Sequence, residues 1–178
     1  CATVWIRRAA KEPAWEYEAL RGPVLLHALA QRGVFVLHAS AVRTLGGSLV
    51  AFTAESGVGK STLARVATEI GWQRVGDDLL PIVEREGRIF ALPHFPQPKL
   101  ADTQQYALDA APTLPLAAIV HLSRGAEARV ERLACRALAD LLLSGTVATR
   151  VFASRSLAAH LAFAAKVAEE MSAGRLIV

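Results

Sequence analysis

The chain has 178 residues, 53% of them hydrophobic, with 20 basic and 16 acidic side chains and a formal net charge of +4. That composition suits one domain over 1–178 with a single core and excludes a disordered chain. No apolar run reaches the ~18 residues of a membrane span, and the scattered arginines form no basic block, so neither membrane nor nucleic acid is an expected partner.

CATVWIRRAAKEP turns charged early and does not read as a signal peptide, while Cys1 in place of Met leaves room for an upstream segment. Cys1 and Cys135 lack metal-ligand spacing and fit reduced, functionally silent thiols, so a cytoplasmic location is expected. Thr3 to Arg7 is a short β-rich run. Pro13 opens a helical pattern with Leu20, Val24, His27, Leu29 and Ala30 on one stripe, stopping at Gly33. VFVLHASAV, from Val34, is a continuous apolar run and predicts a buried strand. Gly46-Gly47 signals a hairpin, and SLVAFTA is its returning strand.

SGVG follows, then a helix from Lys60 whose Leu63, Val66, Ala67 and Ile70 fall at helical spacing, with Gly71 closing it. Trp72 to Val83 contains another strand, paired through a Glu86-Gly87 turn with Arg88 to Leu92. The prolines of PHFPQP, 93–98, make it a loop, and a short helical piece is expected over 102–108. LPLAAIVHL, 114–122, is strand-like, and Ala134 to Leu143 is a helix. A last helix runs from Ser156 to Met171 with Leu157, Leu161, Ala164, Ala168 and Met171 on one face. Gly174 caps it, and Arg175 to Val178 forms a strand. No repeat, linker or low-complexity tract interrupts the chain.

Three features carry chemistry. The first is TAESGVGKSTL, a strand–loop–helix with the look of a phosphate-binding P-loop, although Ala54 stands where the strict pattern has glycine. Successive backbone N–H groups from Gly57 through Ser61 can form an anion-binding nest at a helix N-terminus. Gly57 and Gly59 permit the backbone angles this requires. Lys60 can reach outer phosphates as a point charge, and Ser61 or Thr62 can hold Mg²⁺. Alanine at 54 is tolerable if its φ stays negative.

The second feature is the Asp77-Asp78 pair in VGDDLLP: one carboxylate can help hold a metal while the other accepts a proton from an attacking hydroxyl. The third is His38 at the end of VFVLH, where an imidazole beside an aspartate could orient that base.

LHASAV, a glycine hairpin, SGVGKSTL, a helix ending in Gly and the DD pair together resemble the catalytic domain of HPr kinase/phosphorylase. They resemble still more the short HPr-kinase-related proteins of bacterial peptide-modification clusters. The resemblance spans about Val34 to Pro81. It implies an α/β P-loop domain with a mixed, bent sheet like that of phosphoenolpyruvate carboxykinases. It also implies a nucleotide-binding loop through Glu55, Ser56, Gly57, Val58, Gly59, Lys60, Ser61 and Thr62. By the same resemblance Ser61 would bind the metal, His38 and Lys60 would be catalytic, and Asp78 the proton acceptor; Asp77 beside it is the candidate catalytic carboxylate that helps hold the metal.

The glutamate-bearing E-I-R-G-L-G segment of that family has no counterpart, which points to a one-way kinase. Lys99 and Asp102 occupy that general region, and Arg150 and Arg155 are the candidates for a late catalytic arginine. The expectation is therefore an ATP- and Mg²⁺-dependent kinase acting on a hydroxyl, a serine of a peptide or small protein. Its rivals are a small-molecule hydroxyl kinase and a nucleotide-binding scaffold subunit with little turnover. The acceptor, ATP against GTP, and a homo-oligomeric state stay open.

Overall fold

Residues 22, 24–92 and 113–178 are described by the structure, a computed structural model. The expected strand over 3–7, most of the first helix upstream of 24, the loop 93–98 with Lys99, and the helical piece 102–108 lie outside the described residues.

Helix α1 (Leu25–Ala30) is the described part of the predicted helix and ends in a turn at Gly33, whose φ is +72°. Its buried residues are Leu26 and Ala30, whereas Val24 is exposed, so the expected stripe through Val24 is corrected. The apolar run from Val34 is two strands. β1 (Val34–Leu37) and β2 (Ala39–Arg43) break at His38 because they take different partners. β2 turns through Gly47, φ +86°, into β3 (Leu49–Thr53), as the glycine pair predicts.

The loop after β3 feeds α2 (Lys60–Val66), which tightens into a 3₁₀ turn over Ala67–Ile70 and stops at Gly71 in the left-handed region. The change of pitch rotates the expected face: Ala64 and Ala67 are buried, while Val66 and Ile70 are exposed. β4 (Gln73–Gly76) and β5 (Leu80–Arg85) flank the Asp77-Asp78 turn, and β5 returns through Glu86 and Gly87, both with positive φ, to β6 (Arg88–Ala91). β7 (Leu114–Ser123), β8 (Arg129–Arg132), α3 (Cys135–Gly145), a 3₁₀ turn (Thr149–Val151), α4 (Ser154–Glu170) and β9 (Ser172–Ile177) complete the order.

The strands form one mixed sheet in the order β1-β5-β6-β7-β3-β2-β4, with β9 and β8 branching from β7. Among the described residues only β3–β7 and β7–β9 are parallel; the other pairings are antiparallel. β7 makes the bend: Leu114 and Pro115 pair with β6, while the rest of the strand lies between β3 and β9. A mixed, bent α/β sheet is therefore what the chain forms.

Helices α3 and α4 cover one face, packing Leu138, Leu142, Ala164 and Val167 onto Leu37, Ile82 and Ile119. The other face carries α2, with Ala64 and Ala67 against Val42, Phe52 and Leu122. Burying such side chains contributes about 1.5–3 kcal/mol each for the larger ones. Among the described residues no helix is long and apolar enough to cross a membrane.

Two further expectations are corrected. In α4, Leu157 and Leu161 are exposed, and the buried residues include Ser156, His160, Ala164, Val167 and Ala168. The helix is turned by His160, which sits against Phe35 and Phe152, while Phe163 on the same helix also meets Phe35. Gly174 is not a helix cap: Met171 is, and Gly174 lies inside β9 opposite Arg132, where a Cβ would come within 3.4 Å of the Glu131 carbonyl oxygen. Strand β8, too polar to read as one, is a pairing imposed by β9. Cys135 is a free, exposed thiol.

Candidate functional site

The sheet's pairings assemble a cluster at the end of β3. Ala39 stands opposite Thr53 on β2 and β3, and Ala41 opposite Gly76 on β2 and β4. Ser40 is thus brought beside Asp77, which follows Gly76, and α2 begins just above. Asp77 is 4% exposed. Its Oδ1 accepts from the Ser40 hydroxyl at 2.6 Å and from the Ser61 hydroxyl at 2.7 Å, and its Oδ2 accepts from Nη2 of Arg74. Burial alone would raise the carboxyl pKa. The Ser40 and Ser61 hydrogen bonds and the Arg74 charge outweigh it and hold the group below its ordinary value, so Asp77 is ionised at neutral pH.

The loop itself has the alternating backbone a nest requires. Gly57 has φ +79° and Gly59 +120°, both adverse for a side chain. Ala54 does not have positive φ, so alanine meets the condition set for that position. Lys60, 8% exposed, folds its ammonium back over the loop: Nζ donates to the Ala54 carbonyl at 3.1 Å, with the Glu55 carbonyl at 3.5 Å. Nη2 of Arg124, just beyond β7, donates to the Gly57 carbonyl at 3.2 Å and ties the loop's outer edge to that strand.

His38 reaches the same place by another route. Leu37 stands opposite Leu80, so the residue after Leu37 faces the turn before Leu80. His38 Nδ1 and Asp78 Oδ1 are 3.6 Å apart, within ion-pair reach but longer than a hydrogen bond. Both side chains are partly exposed, at 42% and 34%, so the contact adds little stability. Asp78 adopts φ +84°, a left-handed conformation that aspartate tolerates better than most residues.

Lys60, Ser61, Thr62, Asp77, Asp78, His38, Ser56 and both loop glycines line one cavity of about 330 Å³. Val58 and Glu55 border a second hollow of about 320 Å³ with His121 and Arg124. The sequence-predicted residues are therefore gathered around one loop. Arg150 and Arg155, by contrast, are exposed and line none of the cavities at the loop.

Four residues of this region escaped sequence reading: Ser40, Arg74, Arg124 and His121. His121 carried a usable signal, a lone polar residue ending an apolar strand, the same pattern that singles out His38. It lies opposite Thr53 in the parallel β3–β7 pairing, and its Nδ1 is 3.2 Å from the Thr53 hydroxyl. Burial, with Arg175 and Lys60 nearby, pushes its pKa down, so its imidazole is neutral at pH 7. Ser40 and Arg74 carried no such signal, because their role depends on which strands neighbour one another.

Among the described residues, no three His, Cys, Asp or Glu side chains converge as a metal-binding group. Magnesium does not need one, since it is commonly held by one or two carboxylates together with phosphate oxygens and water. The oxygens of Ser61 and Asp77 fit that donor set. Ser61 spends its proton on Asp77, which leaves the hydroxyl lone pairs to a cation.

No protein-family model and no curated protein sequence matches the chain. Among solved structures, it is similar to the Hpr(Ser) kinase/phosphatase from Coxiella burnetii, with 13% identity, a TM-score of 0.41, and coverage of 80% of this chain and 84% of that one. At that identity and TM-score the likeness carries no chemistry, and a function has to be argued from the residues around the loop.

Proposed function

We propose that the chain is an HPr-kinase-like phosphotransferase that binds ATP with Mg²⁺ at a P-loop formed by residues 54–62. It transfers the γ-phosphoryl group to a hydroxyl, a serine of a peptide or small protein. The supporting observation is the convergence on one 330 Å³ cavity of a nest-forming loop, the Lys60 ammonium, the Ser61–Asp77 pair and the His38–Asp78 pair.

The division of labour follows from the environments. Backbone N–H groups around Gly57 and Gly59 and the N-terminus of α2 would hold the phosphates, with Lys60 exchanging loop carbonyls for phosphate oxygens. Ser61 and Asp77 would hold Mg²⁺, which when bound neutralises phosphate charge. Asp77, locked by Ser40 and Arg74, cannot readily take up a proton. Asp78 is more exposed and faces His38, so it is the group able to accept the acceptor's hydroxyl proton, with His38 orienting it. In the transfer the hydroxyl oxygen bonds to the γ-phosphorus and the bond to the bridging oxygen breaks. ADP leaves, and the proton passes to Asp78 and on to solvent.

The test is incubation with γ-labelled ATP, Mg²⁺ and a panel of serine peptides, for wild type and Asp78→Asn. Label on a serine hydroxyl is expected. The variant should keep nucleotide affinity while transfer falls by about 10²–10⁴. Nucleotide binding with no transfer to any hydroxyl would favour a scaffold subunit, and equal transfer by the variant would remove Asp78 as base.

A further inference from the structure

A cleft of about 520 Å³ adjoins the loop on the face covered by α3, and the nucleotide reading leaves it unused. Its floor is Thr53 and His121, one side is Ala54 and Glu55 at the start of the loop, and the far wall is Leu141, Ser144 and Gly145 at the end of α3 with Thr146 and Val147 just beyond it. His38 lines both this cleft and the 330 Å³ cavity and marks where they meet. The position of His38 is set from both sides: its backbone N–H donates to the Gly145 carbonyl at 2.8 Å, and its ring faces Asp78. A group entering by the cleft therefore arrives beside the proton acceptor.

The charges sort the cavities. Lys60 lines the 330 Å³ cavity and Arg124 the 320 Å³ hollow. Among the described residues no lysine or arginine lines the 520 Å³ cleft, whose one carboxylate is Glu55. His121 on its floor is neutral at pH 7. The exposed hydroxyl is also biased: Ser144 donates to the Asp140 carbonyl at 2.8 Å and so presents oxygen lone pairs, whereas Thr146 is buried between the Leu142 carbonyl and His160. Such a surface accepts hydrogen bonds and pairs with donors. A carboxylate brought here would face Glu55 and the bound polyphosphate; Lys60, on the Ala54 and Glu55 carbonyls, is committed to the phosphates in the nucleotide reading, and Arg175, near His121, does not line the cleft.

We propose that this cleft is the acceptor pocket and that it takes a serine or threonine hydroxyl carried on a neutral or basic segment, to the exclusion of acidic ones. The proposal rests on the nucleotide reading of the loop. The selectivity follows from the charge at the pocket and not from the chain's net charge of +4.

Two labelled peptides of equal length test it, each with a single serine, flanked by lysines in one and glutamates in the other. Binding is read by fluorescence anisotropy with the full chain, Mg²⁺ and a non-hydrolysable ATP analogue. The lysine-flanked peptide should bind at least tenfold tighter, and Glu55→Gln should bring the ratio towards one. Ser144→Trp, placed on the exposed rim where the larger side chain needs no repacking, should weaken that peptide at least tenfold. The analogue's own affinity should then stay within twofold of wild type.

Equal binding of the two peptides, preference for the glutamate-flanked one, or no binding of either overturns the pocket while leaving the nucleotide site intact. Loss of analogue affinity in Ser144→Trp would make the cleft the nucleoside's and overturns the proposal as well. Failure of the wild type to bind the analogue removes the nucleotide reading, and the acceptor pocket with it.

Discussion

Replacing Asp77 with asparagine separates the charge at the centre of the site from its shape. Asparagine is isosteric, and its one carbonyl oxygen has two lone pairs, enough for the Ser40 and Ser61 hydroxyls that now share Oδ1. The loss falls on Oδ2, where an amide NH₂ would confront the Arg74 guanidinium, donor against donor. The Arg74 side chain is 15% exposed and that of Asp77 5%, so water cannot replace the partner freely.

Breaking a buried pair from one side costs about 3–5 kcal/mol; with the remaining exposure of Arg74, about 3 kcal/mol is the working figure. For a chain of this size that lowers Tm by about 6–12 °C. The double variant Asp77→Asn/Arg74→Met should recover much of the loss, with a coupling of about 2 kcal/mol in a double-mutant cycle. The pH dependence has a fixed sign. The native carboxyl lies below its ordinary value of 3.8, so the contribution is complete above that value and disappears as pH falls through the native pKa. A Tm within 2 °C of wild type at pH 7, outside the ~6 °C lower bound, or additive single effects in the cycle, would refute the argument.

Lys60→Ala removes the ammonium from the loop and should reduce nucleotide binding below detection while the circular dichroism spectrum stays native; unchanged turnover would sink the P-loop assignment. His160 is 1% exposed, its Nε2 lies 2.8 Å from the Thr146 hydroxyl, and burial pushes its pKa below 6.5. Its neutral form therefore stabilises the fold at higher pH, and urea unfolding should show stability lost as pH falls below 6.5. His160→Gln should flatten that slope, and an unchanged slope would assign it to another group. A Cβ at Gly125 would run into Cγ2 of the buried Ile177. Gly125→Ala should accordingly cost about 1–3 kcal/mol by overpacking, and a neutral effect in thermal melts would show that β9 yields easily.

What the sequence determined by itself is local. Gly47, Gly71 and the Glu86-Gly87 pair adopt the positive φ that their turns require, and the strand–loop–helix around Gly57 and Gly59 forms where it was read. These features depend on the backbone freedom of a few neighbouring residues, which composition reveals directly. The faces of α2 and α4 were misread because apolar spacing permits several stripes, and the packed partners choose among them: Phe52 and Leu122 for α2, Phe35 and Phe152 for α4.

VFVLHASAV looked continuous because both halves are buried, yet each half pairs with a strand from a different stretch of chain, and only that divergence leaves His38 at the break. The tertiary structure likewise decided that Ser40 and Arg74 hold Asp77, and that His121 stands beside Thr53. Those contacts join residues on four strands, through pairings whose register is set by which side chains fill the core on either side of the sheet.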